Sequence, residues 1–139
     1  MDIEQALQVA REHHASTLVT LRSNGRPQLS NVLHGVDDGG VVRISSTADR
    51  AKVANLRRTP WAALHLNAGD FWSYVVLEGD AELSPVARGT DDQTVEELVG
   101  LYRSLQGEHD DWEDYRAAMV RDHRLVIRVR PDRAYGLLR

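Results

Sequence analysis

The sequence predicts a mainly β fold, a small antiparallel β-barrel with a few helices. Three observations carry this: six or seven strand-like segments, turn residues joining most neighbouring segments, and few helical stretches. The chain has 139 residues, of which 42% are apolar, enough for one domain with a real core and too many for a disordered segment. No internal repeat, low-complexity tract or linker divides it.

The elements follow in order. Asp2 to His14 reads as a helix, with Ile3, Ala6, Leu7 and Ala10 on one stripe and Asp2 and Gln5 placed for a capping box. Ser16 to Arg22 is a strand by its β-branched content. Ser23-Asn24-Gly25 turns it back, because Asn-Gly readily takes positive φ. Pro27 to Val36 is the second strand, Asp37-Asp38-Gly39-Gly40 the next turn and Val41 to Ser45 the third strand. A short helix covers Asp49 to Arg58. Trp61 to Leu66 is a fourth strand and Phe71 to Leu83 a long fifth, with Gly79 marking the bend that barrels need. Thr90 and Gln93 form a capping box that opens a helix from Asp91 to about Gln106, and Asp110 to Arg121 is helical again. Leu125, Ile127 and Val129 alternate with polar neighbours, so Arg124 to Arg130 is a strand. Pro131 ends it, and Arg133 to Leu138 is the last.

Composition narrows the function. The chain has no cysteine, so disulfides and thiolate chemistry are excluded. The start, Met1-Asp2-Ile3-Glu4, lacks a basic region and a long apolar run, and no apolar stretch approaches membrane-spanning length, so the expectation is a cytoplasmic protein without membrane contact. A net charge of −4 argues against a nucleic-acid partner. The cations are sixteen arginines and one lysine, Lys52, a bias typical of a GC-rich genome.

The segment Ser45-Ser46-Thr47-Ala48-Asp49-Arg50-Ala51-Lys52 runs from a strand end into a helix start. Free N–H groups and the positive end of the dipole lie there, and two further cations beside them are electrostatically unfavourable. With three hydroxyls just before, the segment fits an anion site, phosphate being the usual occupant. The same residues also fit a plain helix cap with solvated cations, and the residues alone leave the two level. Arg57 and Arg58 at the helix end need only the dipole to explain them.

The second strand places Gln28, Ser30 and His34 on one face and Leu29, Asn31 and Leu33 on the other. Gln and Asn can satisfy the carbonyl and N–H groups of a planar heterocycle, although an edge strand with a solvated face explains the pattern as well. Trp72 and Tyr74 share a face of the fifth strand, fit for stacking, a subunit contact or simply core. The six histidines show no metal-ligand spacing, and no nucleophile elbow, Walker or dinucleotide glycine pattern occurs.

Three runs occur in order: Gly25-Arg26-Pro27-Gln28-Leu29-Ser30-Asn31-Val32, then Arg50-Ala51-Lys52…Asn55-Leu56-Arg57-Arg58…Pro60, then Trp72-Ser73-Tyr74…Glu78-Gly79. Leu101-Tyr102-Arg103, Gly107-Glu108-His109, Asp114-Tyr115-Arg116 and Tyr135-Gly136-Leu137 extend them over nearly the whole chain. In this order they resemble the pyridoxamine 5'-phosphate oxidase-like split β-barrels, specifically the flavin/deazaflavin oxidoreductase branch that binds coenzyme F-420. The resemblance implies an FMN-binding-like split β-barrel of six to seven antiparallel strands, and a homodimer with two cofactor sites along its interface. It implies that Arg50 and Lys52 hold the cofactor phosphate with Ser45 and Ser46 nearby. Gln28, Ser30 and Asn31 would line the ring and ribityl region, and Trp72 and Tyr74 would come from the other subunit. Arg57 or Arg58 would help with the acidic tail of F-420 if the helix curls back.

The activity implied is hydride transfer between reduced F-420 and a small organic acceptor, with the protein holding ring and substrate in contact. No side chain is compelled as a general acid. The alternatives are an FMN-dependent pyridoxamine/pyridoxine 5'-phosphate oxidase-like enzyme, since the same anion site serves a phosphate monoester, and a non-catalytic cofactor-binding protein.

Overall fold

A computed structural model describes residues 1–139. Its elements are α1 (Ile3–Glu12), β1 (Ala15–Leu21), β2 (Pro27–Leu33), β3 (Gly35–Val36), β4 (Val42–Thr47), α2 (Ala51–Arg58), β5 (Trp61–Asn67), β6 (Tyr74–Leu83), α3 (Gln93–Gln106), α4 (Trp112–Arg121) and β7 (Arg124–Leu137). The seven strands form one antiparallel sheet in the order β2-β1-β5-β6-β7-β4-β3. Strands β2 and β3 are consecutive in sequence yet occupy opposite edges. The sheet therefore curls until its edges approach, which is the split β-barrel expected.

Alternate residues fill the interior. Leu18, Ile44, Leu64, Leu77, Leu125 and Ile127 are buried there with Leu7 and Ala10 of α1 and Val53 and Leu56 of α2. Helices α3 and α4 pack on the outer face of the sheet, where Val95, Leu98, Val99 and Met119 meet Val126. This second layer makes Leu125, Val126 and Ile127 buried in succession despite the strand alternation. Glu97 clamps α3 to the sheet, accepting from Arg43 Nε at 2.7 Å and Arg128 Nη2 at 2.6 Å. No helix is long and apolar enough to cross a membrane.

Local signals act as expected at α1, where Asp2 Oδ1 accepts from the Gln5 backbone N–H at 2.8 Å and Gln5 Oε1 accepts from the Asp2 N–H at 3.1 Å. Gly79 also marks the expected bend. It pairs with Pro131 while Glu78 pairs with Arg133, so Asp132 is the extra residue of a β-bulge.

Five expectations are corrected. Pro131 does not end a strand: it lies at this bulge, where a missing N–H is tolerated, and β7 continues to Leu137. The single strand Pro27–Val36 is two, broken at His34. The fifth strand starts at Tyr74, because Asp70 draws Phe71 and Trp72 into a turn; its Oδ1 accepts from the Trp72 N–H at 2.8 Å and the Ser73 N–H at 2.9 Å. Helix α3 starts at Gln93 without the Thr90 box, since the two oxygens of Asp92 serve both the helix and the preceding turn. They accept from the N–H groups of Val95 and Arg88, each at 2.8 Å, and of Gly89 at 3.1 Å. The last helix starts at Trp112 rather than Asp110, capped by Asp111.

His34 is the fully buried pivot between β2 and β3. Its Nε2 donates to the Ala10 carbonyl at 2.9 Å, so its Nδ1 accepts from Ser16 Oγ at 2.8 Å. Burial, with His14 nearby, holds the imidazole below its ordinary value of 6.5. A depressed histidine is neutral when folded, whereas the unfolded chain gains a proton near its ordinary pKa. The melting temperature is therefore expected to be flat above about pH 7 and to fall as the pH drops below 6.5. In His34→Gln this part of the slope should vanish in scanning calorimetry.

Candidate functional site

The α2 N-terminus lacks a side-chain cap. Arg50 is the N-cap residue, and Ser46, Thr47 and Asp49 do not cap the helix. The first free N–H groups are therefore available to a ligand. Ser46 is buried, its hydroxyl donating to the Thr47 carbonyl at 3.0 Å. Arg50 bends away and donates through Nε to Thr47 Oγ1 at 3.1 Å. It lines one cleft, with Asp49, Asp122 and His123.

Lys52 lies on the other flank, in a cavity of about 410 Å³. The walls come from Asn31 to Leu33 at the β2 edge, Ser45 of β4, Arg124 of β7, and Leu101, Tyr102, Tyr115 and Met119 of the α3–α4 hairpin. No carboxylate lines it. Burial first, then the charges of Arg50 and Arg124, hold the Lys52 ammonium below its ordinary value. Tyr115 donates to the Leu98 carbonyl at 3.1 Å, and burial raises its phenol to about 12, so it lines the cavity as a neutral phenol whose proton is already engaged. Two wall residues are aromatic, and behind them Tyr102 and Tyr115 pack in a cluster with His109 and Trp112, centroids 5.0–5.6 Å apart. One polar end with two cations and a long apolar body suit a planar molecule that carries an anionic group.

Of the residues singled out in sequence, Ser45, Lys52 and Asn31 meet in this cavity. Gln28 and Ser30 do not; they share the opposite face of β2, across from Thr20 and Leu18, where Ser30 Oγ is buried without a partner. Arg58 is engaged elsewhere, donating to Asn55 Oδ1 at 3.0 Å and the Leu21 carbonyl at 3.3 Å. Sequence reasoning missed Arg124 and the hairpin wall.

Asn31 also opens onto a second surface. Cross-strand partners share a face, and the row Asn31, Thr17, His65, Val76, Tyr135 crosses five strands. This face exposes Leu29, Leu33, Tyr135 and Leu137. Tyr74 stacks on His65 at 5.3 Å, and at the rim Phe71 and Trp72 are 74% and 63% exposed. Neither Trp72 nor Tyr74 reaches the Lys52 cavity of its own chain. Trp112, by contrast, is taken up by the aromatic cluster of the hairpin.

Known structures share this architecture. A conserved hypothetical protein from Mycobacterium tuberculosis superposes with a TM-score of 0.75 at 22% identity, covering 98% of this chain and 84% of that one. An F-420 reductase gives 0.70 at 22% identity, covering 92% and 94%. A pyridoxamine 5'-phosphate oxidase-related, FMN-binding protein from Nostoc punctiforme gives 0.63 at 15% identity, covering 98% and 81%. These likenesses fix the fold. The sequence profile of the pyridoxamine 5'-phosphate oxidase family matches residues 3–138, almost the full length, and the chain belongs to that family.

Proposed function

We propose that this protein is an oxidoreductase that binds coenzyme F-420 and uses it on a small organic acceptor. The single observation behind this reading is the Lys52 cavity, which joins two cations without a carboxylate to an aromatic and apolar wall. The donor set fits a phosphate group at one end and a flat ring system beyond it. When bound, the cofactor supplies hydride chemistry that no side chain of this sequence can. Lys52 and Ser45 hold its phosphate, with the free N–H groups of α2, and Arg50 adds positive field from the far flank. Asn31 presents an amide to the ring from the β2 edge, while Gln28 and Ser30 keep that edge polar from its other face. Tyr102 and Leu101 exclude water from the other side.

The similar F-420 reductase favours the deazaflavin; the FMN-binding relative keeps FMN as the second reading. Fluorescence titration of the purified chain with each cofactor decides between them. Tighter F-420 binding is expected, and equal or tighter FMN binding makes the oxidase-like reading the first.

The exposed face through Leu33, Tyr135, Leu137 and Trp72 is proposed to pair with a second copy, which would bring Trp72 and Tyr74 to the partner's site. Several large apolar side chains exposed on one face mark an interaction surface. Light scattering at micromolar concentration is expected to give twice the 15.6 kDa chain mass. Leu33→Asp should shift it toward the monomer; a wild-type monomer rules out the shared-site arrangement.

A further inference from the structure

Arg124 opens β7 opposite Thr47, and its guanidinium enters the wall of the Lys52 cavity. Its one polar contact is long, from Nη1 to Ser45 Oγ at 3.4 Å, and its Nε is buried with no partner. Elsewhere the chain pairs its half-buried arginines. Arg43 and Arg128 both close on Glu97, and Arg116 donates to Glu96 at 2.6 Å. Arg124 has no such carboxylate, and it shares its cavity with the only lysine, which is unpaired as well. Two uncompensated cations held together in one partly buried space repel each other and are poorly solvated. An anion that enters relieves both penalties at once.

We propose that Arg124 is an anion-binding residue, and that Lys52 and Arg124, rather than Lys52 and Arg50, form the principal cation pair for a phosphate group, with Ser45 Oγ beside them. Arg50 has turned to Thr47 and faces a separate cleft that contains two aspartates. Arginine at the second position adds a planar fork of donors to the point charge of lysine, which suits phosphate oxygens. This inference rests on reading the cavity as the cofactor's phosphate site.

The single lysine makes the test direct. Carbon-13 lysine labelling gives one side-chain Cε signal, that of Lys52. Its pH titration in the full chain is expected to move upward in Arg124→Gln, because a neighbouring positive charge has gone, and upward in the wild type when inorganic phosphate is added. Isothermal titration with inorganic phosphate, FMN and F-420 should show Arg124→Gln and Lys52→Gln each weakening binding at least tenfold, and Arg50→Gln no more than about threefold. Arg124→Lys keeps a cation and should recover part of the affinity, which separates charge from packing. The FMN and F-420 arms show whether the pair prefers a monoester or a diester. Unchanged affinity in Arg124→Gln alongside a loss in Lys52→Gln overturns the role of Arg124 and leaves the cavity reading intact. Unchanged affinity in both overturns the cavity reading itself.

Discussion

Replacing Lys52 with alanine is expected to weaken cofactor binding ten- to a hundredfold. A charge-assisted hydrogen bond to a phosphate is worth about 1.5–3 kcal/mol, and each 1.4 kcal/mol is a factor of ten in affinity. Because Lys52 is partly exposed, solvent screening pulls the effect toward the lower figure, and added salt should weaken wild-type binding too. The unliganded protein should respond in the opposite sense. Burial and two like charges already hold the ammonium below its ordinary value, so its removal relieves repulsion at the start of α2. The melting temperature of the unliganded Lys52→Ala protein is therefore expected to stay level or rise. A fall in melting temperature with unchanged affinity would make Lys52 a structural residue.

The second large effect is on stability. Gly136 sits in β7 with φ of 153°, and a Cβ there would stand 2.2 Å from the Tyr74 carbonyl oxygen and 2.9 Å from the Val75 Cα. Both obstacles are backbone of the adjacent strand and cannot swing aside. Gly136→Ala combines overpacking of about 1–3 kcal/mol with a backbone conformation that costs an L-residue about 1–3 kcal/mol. A drop in melting temperature of about 10 °C is expected for a domain of this size. Gly100→Ala supplies the contrast. It lies within α3 with open space around it, so alanine should stabilise the helix by about 0.5–1 kcal/mol. Thermal melts of the two variants should move in opposite directions.

What the sequence made legible was local. The Asp2–Gln5 box, the Asn24-Gly25 turn and the strand alternation of Leu125, Ile127 and Val129 each need only a few neighbouring residues to act. The misreadings came where a distant partner decides. Pro27 to Val36 reads as one strand, and only the seat of His34 against Ala10 and Ser16 shows why the chain breaks there. Pro131 looks like a terminator until Gly79 faces it across a bulge. The candidate site divides in the same way. Ser45 and Lys52 sit in one short segment and declare themselves by composition. Arg124 lies 72 residues beyond Lys52 in the sequence and reads as an ordinary polar position in a strand. Only the pairing of β4 with β7 brings it to Ser45. The open face was half legible: Trp72 stands out as fit for stacking or a subunit contact, while the turn at Asp70 that presents it does not.

The sheet order has a kinetic consequence. Strands β1, β2, β5 and β6 can pair as soon as they are made, since each lies next to a partner already present. Strands β3 and β4 can pair with each other but not with these four, because their only link to the rest of the sheet is β7, which comes last in the sequence. Val42 must wait for Val129, a loop of some 87 residues whose closure is entropically expensive. Folding of this chain should therefore proceed in two stages, with the four-strand sheet β2-β1-β5-β6 first and closure by β7 after it. Contacts of such range are slow, on the order of milliseconds to seconds. The piece added in the second stage carries Ser45 and leads into Lys52, so binding competence should appear only with the slowest phase of refolding.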